Sequence, residues 1–240
     1  MNDHYYTREP QSESRPAECE YTYRGERLRF RTDAGVFSRG EVDTGTRLLL
    51  EALPEVMAGE ILDLGCGWGV IGISVAKKWP GCRVTMADVN LRALELSREN
   101  AKLNRTEAEC VESDGMAALE GRTFDAVVTN PPIRAGKQVI YKMFADAAKS
   151  LKPGGALYLV IRKQQGAESC MKYLKTLYEE VEKLDKSGGF WVIKAAKPVC
   201  RPLRRPAFLL CRPPGGPAGS SPGSAAGLRR ARAPSRGRER

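Results

Sequence analysis

The segment Ile61-Leu-Asp-Leu-Gly-Cys-Gly-Trp-Gly69 is the most informative part of the sequence about the fold. It begins with an apolar run around Asp63, which is typical of a buried strand that ends near an acid. The three glycines permit a tight turn and let a ligand approach the backbone closely. The apolar residues from Ile71 to Trp79 then indicate a helix. The stretch therefore predicts a strand, a glycine-rich turn and a helix, which is the start of a parallel βαβ unit.

The alternation of strand and helix continues along the chain. The apolar pattern predicts strands at Cys82–Asp88, Ala108–Ser113, Phe124–Thr129, Ala156–Ile161, Val181–Leu184 and Phe190–Ala195, and helices at Leu91–Leu103, Val139–Leu151 and Ala167–Tyr178. Lys152-Pro-Gly-Gly155 is expected to be a turn, and Ser187-Gly-Gly189 to join the last two strands as a hairpin. This order predicts an α/β fold with a doubly wound, mostly parallel sheet and an antiparallel edge.

Acids stand at or next to the ends of three predicted strands, where ligands bind in open α/β sheets. Asp88 follows Gly67 by 21 residues, and its carboxylate can accept both hydroxyls of a ribose. Asp63 would repel a pyrophosphate but attract an ammonium group, directly or through water. Asp114 can accept from an adenine amino group. The set favours S-adenosylmethionine, and the candidate cofactor-binding residues are Asp63, Gly65, Cys66, Gly67, Asp88, Asp114 and Asn130.

A different cofactor is also compatible with the turn. Gly67-Trp-Gly-Val-Ile-Gly72 satisfies the GxGxxG fingerprint of dinucleotide sites, and Asp88 lies near the expected offset. A nicotinamide-dependent oxidoreductase therefore remains an alternative, although a single GxGxxG is a weak signal.

The second chemical motif is Asn130-Pro-Pro-Ile133, at the end of the strand Phe124–Thr129. Proline cannot donate to the sheet ladder, so the strand ends there and presents Asn130 at its carboxyl end. The amide of Asn130 and the fixed carbonyl of Pro131 are two acceptors, which suits an exocyclic –NH2 group with two protons to donate. We therefore expect the catalytic residues to be Asn130, Pro131, Pro132 and Ile133.

Composition excludes several other classes of site. His4 is the only histidine and the seven cysteines form no CxxC pair, so we expect no metal site and no Ser-His or Cys-His nucleophile. The scattered cysteines favour reduced thiols. No apolar run approaches the roughly 20 residues of a membrane span, and the N-terminus lacks an apolar signal region. We therefore expect a cytoplasmic protein without membrane contact.

Three segments are predicted: a polar N-terminal segment at 1–20, the α/β domain at 21–197 and a low-complexity tail at 198–240. The tail carries ten arginines and one acid, so residues 1–197 hold 29 basic and 28 acidic residues and are nearly neutral. One interpretation of the tail is a disordered basic arm that binds RNA. The other, which we favour, is out-of-frame translation of GC-rich DNA, because Arg, Pro, Gly and Ala all have GC-rich codons.

Taken together, these motifs resemble the class I S-adenosylmethionine-dependent methyltransferases. The chain is similar, more narrowly, to the small methyltransferase domain of the ribosomal small-subunit guanine-N2 methyltransferase C family. Stretches that carry this narrower resemblance include Tyr5-Tyr6, Gly35-Val-Phe-Ser, Val42-Asp-Thr-Gly-Thr-Arg-Leu-Leu, Asn130-Pro-Pro-Ile-Arg-Ala-Gly-Lys137 and Lys163-Gln-Gln-Gly166. The resemblance implies a Rossmann-like, seven-stranded sheet with the last strand antiparallel, and methylation of a guanine N2 in ribosomal RNA.

The resemblance also suggests which residues contact an RNA or small-subunit substrate. The candidate substrate-binding residues are Phe37, Asp43, Thr46, Arg134, Lys137 and Lys163, with Arg162 as a further phosphate contact and Tyr141 as an alternative to Phe37 for stacking on a base. Asp43 and Thr46 are expected to close over the methionine end of the cofactor. An N-methyltransferase for proteins or small molecules, and an RNA-binding module without catalysis, remain alternatives.

Overall fold

A computed structural model describes residues 7–197 of the chain. Its elements are β1 (Ala17–Tyr23), β2 (Glu26–Thr32), α1 (Thr44–Glu51), β3 (Gly59–Leu64), α2 (Val70–Lys78), β4 (Cys82–Asp88), α3 (Leu91–Leu103), β5 (Glu109–Glu112), β6 (Phe124–Thr129), α4 (Lys137–Ser150), β7 (Leu151–Arg162), α5 (Ala167–Leu174), β8 (Glu180–Ser187) and β9 (Phe190–Ala196). Short 3-10 turns cover Ala117–Leu119, Ile133–Ala135 and Lys163–Gln165.

Seven strands form one sheet in the order β5-β4-β3-β6-β7-β9-β8, and β1 and β2 form a separate antiparallel hairpin. Strand β9 runs antiparallel to both of its neighbours, whereas the pairings among β3 to β7 are parallel. The predicted α/β sheet with an antiparallel last strand is thus confirmed. The chain order reverses between β3 and β6, and such a switch point opens a crevice outside the carboxyl ends of the strands.

The side chains of the sheet alternate between two cores. Val128 faces the core shared with the β1–β2 hairpin and helices α1 to α3. Its neighbour Val127 faces the other core, which contains α4 and α5. This period-2 alternation between two apolar faces explains why the central strands read as nearly continuous apolar runs.

Two helix starts in the described chain have side-chain caps that matter for the site. Asp43 caps α1 by accepting from the backbone N–H groups of Gly45 and Thr46. Asn90 caps α3 by accepting from Ala93 N at 3.0 Å. Both caps lie at the carboxyl edge of the sheet, so they fix the loops that surround the crevice.

Some predicted boundaries were wrong. Strand β7 includes residues 152–155, which the sequence predicted to form a turn. Leu151 already pairs with Phe124 of β6, and after a register shift the pairing of the two strands resumes at Ala126 and Ala156. Helix α5 ends at Leu174 rather than at Tyr178. The predicted N-terminal segment 1–20 overlaps β1, which begins at Ala17. Alternate residues of this strand are exposed, and this makes an edge hairpin look polar in the sequence.

The residues before β1 contact the domain as well. The carbonyl of Arg8 accepts from Leu91 N at 3.0 Å, and the Arg8 side chain bonds Glu112. Tyr5, Tyr6 and the tail at 198–240 lie outside the described residues, so the predictions about them stay predictions. Within residues 7–197, no helix is long and apolar enough to cross a membrane.

Candidate active site

A cavity of about 310 Å³ opens at the carboxyl ends of β3, β4 and β6. It brings together ten residues that the sequence singled out: Phe37, Asp43, Thr46, Gly65, Cys66, Gly67, Asp88, Asp114, Asn130 and Pro132. Eight predicted residues do not line it: Asp63, Pro131, Ile133, Arg134, Lys137, Tyr141, Arg162 and Lys163. The predicted motifs thus converge on one site, with its basic residues outside the cavity.

The glycine turn forms one wall of the cavity and is held by backbone hydrogen bonds. The N–H groups of Gly65 and Cys66 both donate to the carbonyl of Ala87, at 2.8 and 3.0 Å. Gly67 has φ +56°, in the left-handed region that favours glycine, and a side chain there would meet no atom within 4 Å. The missing side chain of Gly67 therefore keeps open the space through which a ligand reaches the backbone.

Asp88 joins this turn to the next strand. Its carboxylate accepts from Gly67 N at 2.8 Å and from Asn90 N at 2.9 Å. Burial raises the pKa of the Asp88 carboxyl above its ordinary value, against the effect of these bonds. A carboxylate oxygen can accept more than one hydrogen bond, so each oxygen retains a lone pair for a ribose hydroxyl.

Asp63 lies behind the glycine turn and does not reach the cavity wall. Asp63 lies on the same face of β3 as Ile61, which packs in the core that contains α2. Leu64 lies on the opposite face of the strand and lines the cavity. The Oδ2 of Asp63 accepts from Gly72 N at 2.8 Å, and its Oδ1 is buried without a hydrogen-bond partner in the described chain. Burial raises the pKa of Asp63 to about 7. The position of Asp63 does not support a direct contact with a cofactor ammonium group, whereas the alternative contact through water stays a prediction.

Asn130 is held by the start of α1, far away in the sequence. Its Nδ2 donates to Thr46 Oγ1 at 2.9 Å and to Asp43 Oδ2 at 3.2 Å. A carboxylate can only accept, so the chemistry of Asp43 fixes which end of the amide faces it. The Oδ1 atom of Asn130 is consequently the end that points away from α1 at the cavity wall.

The rest of the Asn-Pro-Pro-Ile motif separates into different environments. Pro131 is buried and Pro132 lines the cavity. The carbonyl of Pro132 accepts from Ala135 N at 2.8 Å, which closes a 3-10 turn. Ile133 begins that turn and packs against the core of α4 and α5. Ile133 therefore supports the motif and does not contact the cavity.

Two aromatic side chains line the cavity: Trp68, which is buried, and the predicted Phe37, which is 36 % exposed. The alternative, Tyr141, instead stacks on Tyr173 with ring centroids 4.1 Å apart and does not line the cavity. Lys137 lies over the ring of Tyr141 at 5.8 Å, and Arg162 over the ring of Phe190 at 4.7 Å. Both cations are exposed and neither lines the cavity; together with Arg134 and Lys163 they are called the basic rim. The cavity lining consists of apolar, acidic and uncharged polar residues.

Trp68 has a role that the sequence alone did not reveal. Its Nε1 donates to the carbonyl of Phe37 at 2.7 Å, and its ring packs edge-on against Phe30 at 5.2 Å. Arg92 adds a bond to the carbonyl of Ala34 at 2.7 Å. The loop between β2 and α1 is therefore fastened over the cavity by these side chains. The position of Trp68 inside the glycine motif is the feature of the sequence that could have indicated this role.

The Cys66 thiol at this site is not suited to nucleophilic catalysis. Burial raises the pKa of the Cys66 thiol well above its ordinary value, so the thiolate that a nucleophile requires is disfavoured. In residues 7–197, no group of three His, Cys, Asp or Glu side chains could hold a metal ion. The arrangement instead offers a glycine turn, a buried carboxylate and an anchored amide, which fit a nucleoside-containing cofactor next to an amine acceptor.

Comparison with known proteins agrees with this geometry. The chain is 43% identical over 201 residues to YbxB, an uncharacterized protein of Bacillus subtilis, covering 82% of this chain and all of YbxB. It is 42% identical over 137 residues to the ribosomal RNA small subunit methyltransferase C of Hahella chejuensis, covering 55% of this chain and 40% of that enzyme. The chain therefore spans less than half of that relative's length.

A solved structure gives the same picture. The Thermus thermophilus 16S rRNA N2 G1207 methyltransferase, in complex with AdoMet and guanosine, superposes with a TM-score of 0.70 and 29% identity over 78% of this chain and 52% of its own. The methyltransferase small domain matches residues 27–194, which is more than half of the chain. The chain therefore belongs to the methyltransferase small domain family and is an S-adenosyl-L-methionine-dependent methyltransferase.

Proposed function

We propose that the protein methylates the exocyclic N2 of a guanine in ribosomal RNA. The observation that carries this proposal is the anchored amide of Asn130, whose Nδ2 is bound by Asp43 and Thr46 so that Oδ1 remains to accept from an amine. The similarity to a guanine-N2 methyltransferase solved with guanosine supports the choice of acceptor atom. Ribosomal RNA, or the small ribosomal subunit, is accordingly the proposed partner, and the cytoplasm the proposed location.

The acceptor amine needs help because its lone pair is delocalised into the guanine ring. A hydrogen bond from the amine to Asn130 Oδ1 localises that lone pair and aims it at the methyl group. The proposed second acceptor is the carbonyl of Pro131, which does not line the cavity itself but stands between Asn130 and Pro132, which do. S-adenosylmethionine supplies the methyl group on a sulfonium, so a nitrogen–carbon bond forms as a sulfur–carbon bond breaks. The resulting ammonium cation loses its proton to water. The chain thus acts by positioning and charge stabilisation, without a covalent enzyme intermediate.

The basic rim outside the cavity suits a polyanionic substrate. Arg134 and Lys137 follow β6 along the chain, Arg162 is the last residue of β7 and Lys163 comes directly after it. Cations at these positions support the proposal that phosphates of the substrate bind there. Phe37 at the cavity wall offers a ring to the face of a base. The acceptor nitrogen must enter the cavity, so we expect an unpaired loop or an extruded nucleotide as the target. The proposal therefore concerns accessible guanines and not bases stacked in a duplex.

The test is tritiated methyl transfer from S-adenosylmethionine to ribosomal RNA and to intact small subunits, both from cells that lack the modification. Mass spectrometry of the nucleosides should find N2-methylguanosine. A matched control replaces guanosine by inosine in the responsive RNA fragment, because inosine lacks only the N2 amine. Methylation of another atom, or undiminished transfer to the inosine RNA, would contradict the proposal. No transfer to either RNA would point to protein or small-molecule acceptors.

A further inference from the structure

We propose that Asp43 is a positioning residue that, with Thr46, selects the orientation of the Asn130 amide during methyl transfer. This inference rests on the proposed function, because it assigns a purpose to the amide oxygen that meets the acceptor amine. It differs from the expectation that Asp43 and Thr46 close over the methionine end of the cofactor. Here both act through Asn130.

The hydrogen bonds around Asn130 form a directional chain. The Thr46 hydroxyl donates to Asp43 Oδ2 in a short bond, so its oxygen is left to accept. Asn130 Nδ2 then donates both to this oxygen, at 2.9 Å, and to Asp43 Oδ2, at 3.2 Å. The carboxylate is the one partner of the three that has no proton to donate, and therefore it sets the direction of every bond in the chain.

Such a selector is needed because the two ends of an amide have nearly the same size and shape. Rotation of the Asn130 side chain by a half turn would exchange Oδ1 and Nδ2 without a steric penalty. With Nδ2 toward the substrate, donors of the amide would face donors of the guanine amine, and the lone pair would not be localised. The two acceptors at the start of α1 disfavour that rotamer, because it would place Oδ1 against their oxygens.

Asp43 itself is held rigidly enough to act as a reference point. Its Oδ1 accepts from Gly45 N at 2.9 Å as the N-cap of α1. A side chain at Gly45 would come within 2.9 Å of the Phe190 ring and 3.1 Å of Asp43 Oδ1, so glycine allows β9 to pack closely against this cap. The carboxylate is thus fixed by the first turn of its own helix, and that turn packs against a strand from the end of the domain.

The experiment exchanges the polarity of the pair without changing its shape. Asp43→Asn keeps a good N-cap residue, but its amide N–H groups face those of Asn130 and turn the Asn130 oxygen away from the substrate. We expect kcat to fall about ten- to a hundredfold, as for other misplaced transition-state contacts, with affinity for S-adenosylhomocysteine and the Tm nearly unchanged. The control Glu41→Gln removes a nearby exposed negative charge and should leave kcat unchanged.

The reciprocal variant separates positioning from a merely structural role. In the double variant Asp43→Asn with Asn130→Asp, residue 43 becomes the donor and residue 130 the carboxylate, so an oxygen again faces the amine. Its kcat should exceed that of Asp43→Asn and that of Asn130→Asp measured singly. Each kcat is measured on the product nucleoside that the unchanged protein forms. A product other than N2-methylguanosine would therefore overturn the proposed function, and the kcat values of the variants could still be compared.

Two results would overturn the inference. One is an Asp43→Asn protein with the kcat of the unchanged protein. The other is a loss of kcat that the double variant does not restore and that comes with a matching loss of cofactor affinity or of Tm. That result would mean that Asp43 acts only as the N-cap of α1 or as a contact to the cofactor.

Discussion

The proposed cofactor half of the cavity, around Gly67 and Asp88, and its proposed acceptor half, around Asn130, are built in different ways. In the cofactor half, Asp88 bonds Gly67, which lies 21 residues away in the adjacent strand–turn unit. In the acceptor half, Asn130 bonds Asp43 and Thr46, which lie 87 and 84 residues away. One half is local and made largely of backbone groups. The other depends on a tertiary contact between side chains of α1 and the end of β6.

This difference implies that the two halves fail separately. A change in the cofactor half should lower affinity for S-adenosylhomocysteine, whereas a change in the acceptor half should lower kcat at saturating cofactor. The two readouts can be measured on the same protein.

Asn130→Ala should give the largest effect and confine it to kcat. The variant removes the acceptor oxygen, so we expect kcat to fall by roughly 10²–10³, as for other lost transition-state hydrogen bonds. Titration with S-adenosylhomocysteine should give nearly the affinity of the unchanged protein. A variant with normal kcat, or with cofactor affinity lost in the same proportion, would remove the distinction between the halves.

Asp88→Asn should do the opposite. It keeps the size of the side chain but replaces one acceptor oxygen by a donor, and it removes the charge that ribose hydroxyls would meet. A hydrogen bond to a charged group contributes about 1.5–3 kcal/mol, so we expect cofactor affinity to fall roughly ten- to a hundredfold. Calorimetric titration measures this, and kcat at saturating cofactor should recover most of its value.

Asp114→Asn is the matched comparison for Asp88→Asn, because Asp114 also lines the cavity but is exposed. Its effect on cofactor affinity should be the smaller of the two, since water competes for an exposed carboxylate. An effect equal to that of Asp88→Asn would mean that burial does not distinguish the two acids.

Much of this architecture could be predicted from the sequence, and the division follows the same two halves. The glycine turn, Asp88 and Asp114 were predictable because each follows directly from a strand and its turn. The anchoring of Asn130 by Asp43 and Thr46 was not, because nothing local in either segment specifies their pairing. Asp63 was predicted from its place beside the turn, yet the alternation of strand residues turns it away from the cavity.

That buried position gives Asp63 a pH-dependent effect on stability. Its pKa is about 7 in the folded protein, against an ordinary value of 3.8. Between these values the folded chain holds the proton more often than the unfolded chain does, so the free energy of unfolding falls as pH rises toward and through 7. From pH 5.5 to 8 the expected loss is about 2 kcal/mol.

Asp63→Asn cannot ionise, so its free energy of unfolding should lose about 2 kcal/mol less than that of the unchanged protein over the same pH interval. Urea unfolding at pH 5.5 and 8 without cofactor measures the difference. Parallel pH dependences of the two proteins would show that Asp63 keeps its ordinary pKa and is therefore hydrated in the folded state. Glu41→Gln, on the exposed loop, should show the same slope as the unchanged protein.

Removal of residues 198–240 should have the smallest effect, namely none on kcat or on cofactor affinity. The last strand of the sheet ends at Ala196, directly before Lys197. The N–H of Lys197 donates to the carbonyl of Gly155 at 2.9 Å, and its Nζ donates to the carbonyl of Leu151 at 3.1 Å. The family match also ends before the tail, at residue 194. A protein ending at Lys197 should therefore fold and turn over normally. If RNA affinity fell steeply instead, and fell less at high salt, the ten arginines of the tail would belong to the acceptor half as a phosphate-binding arm.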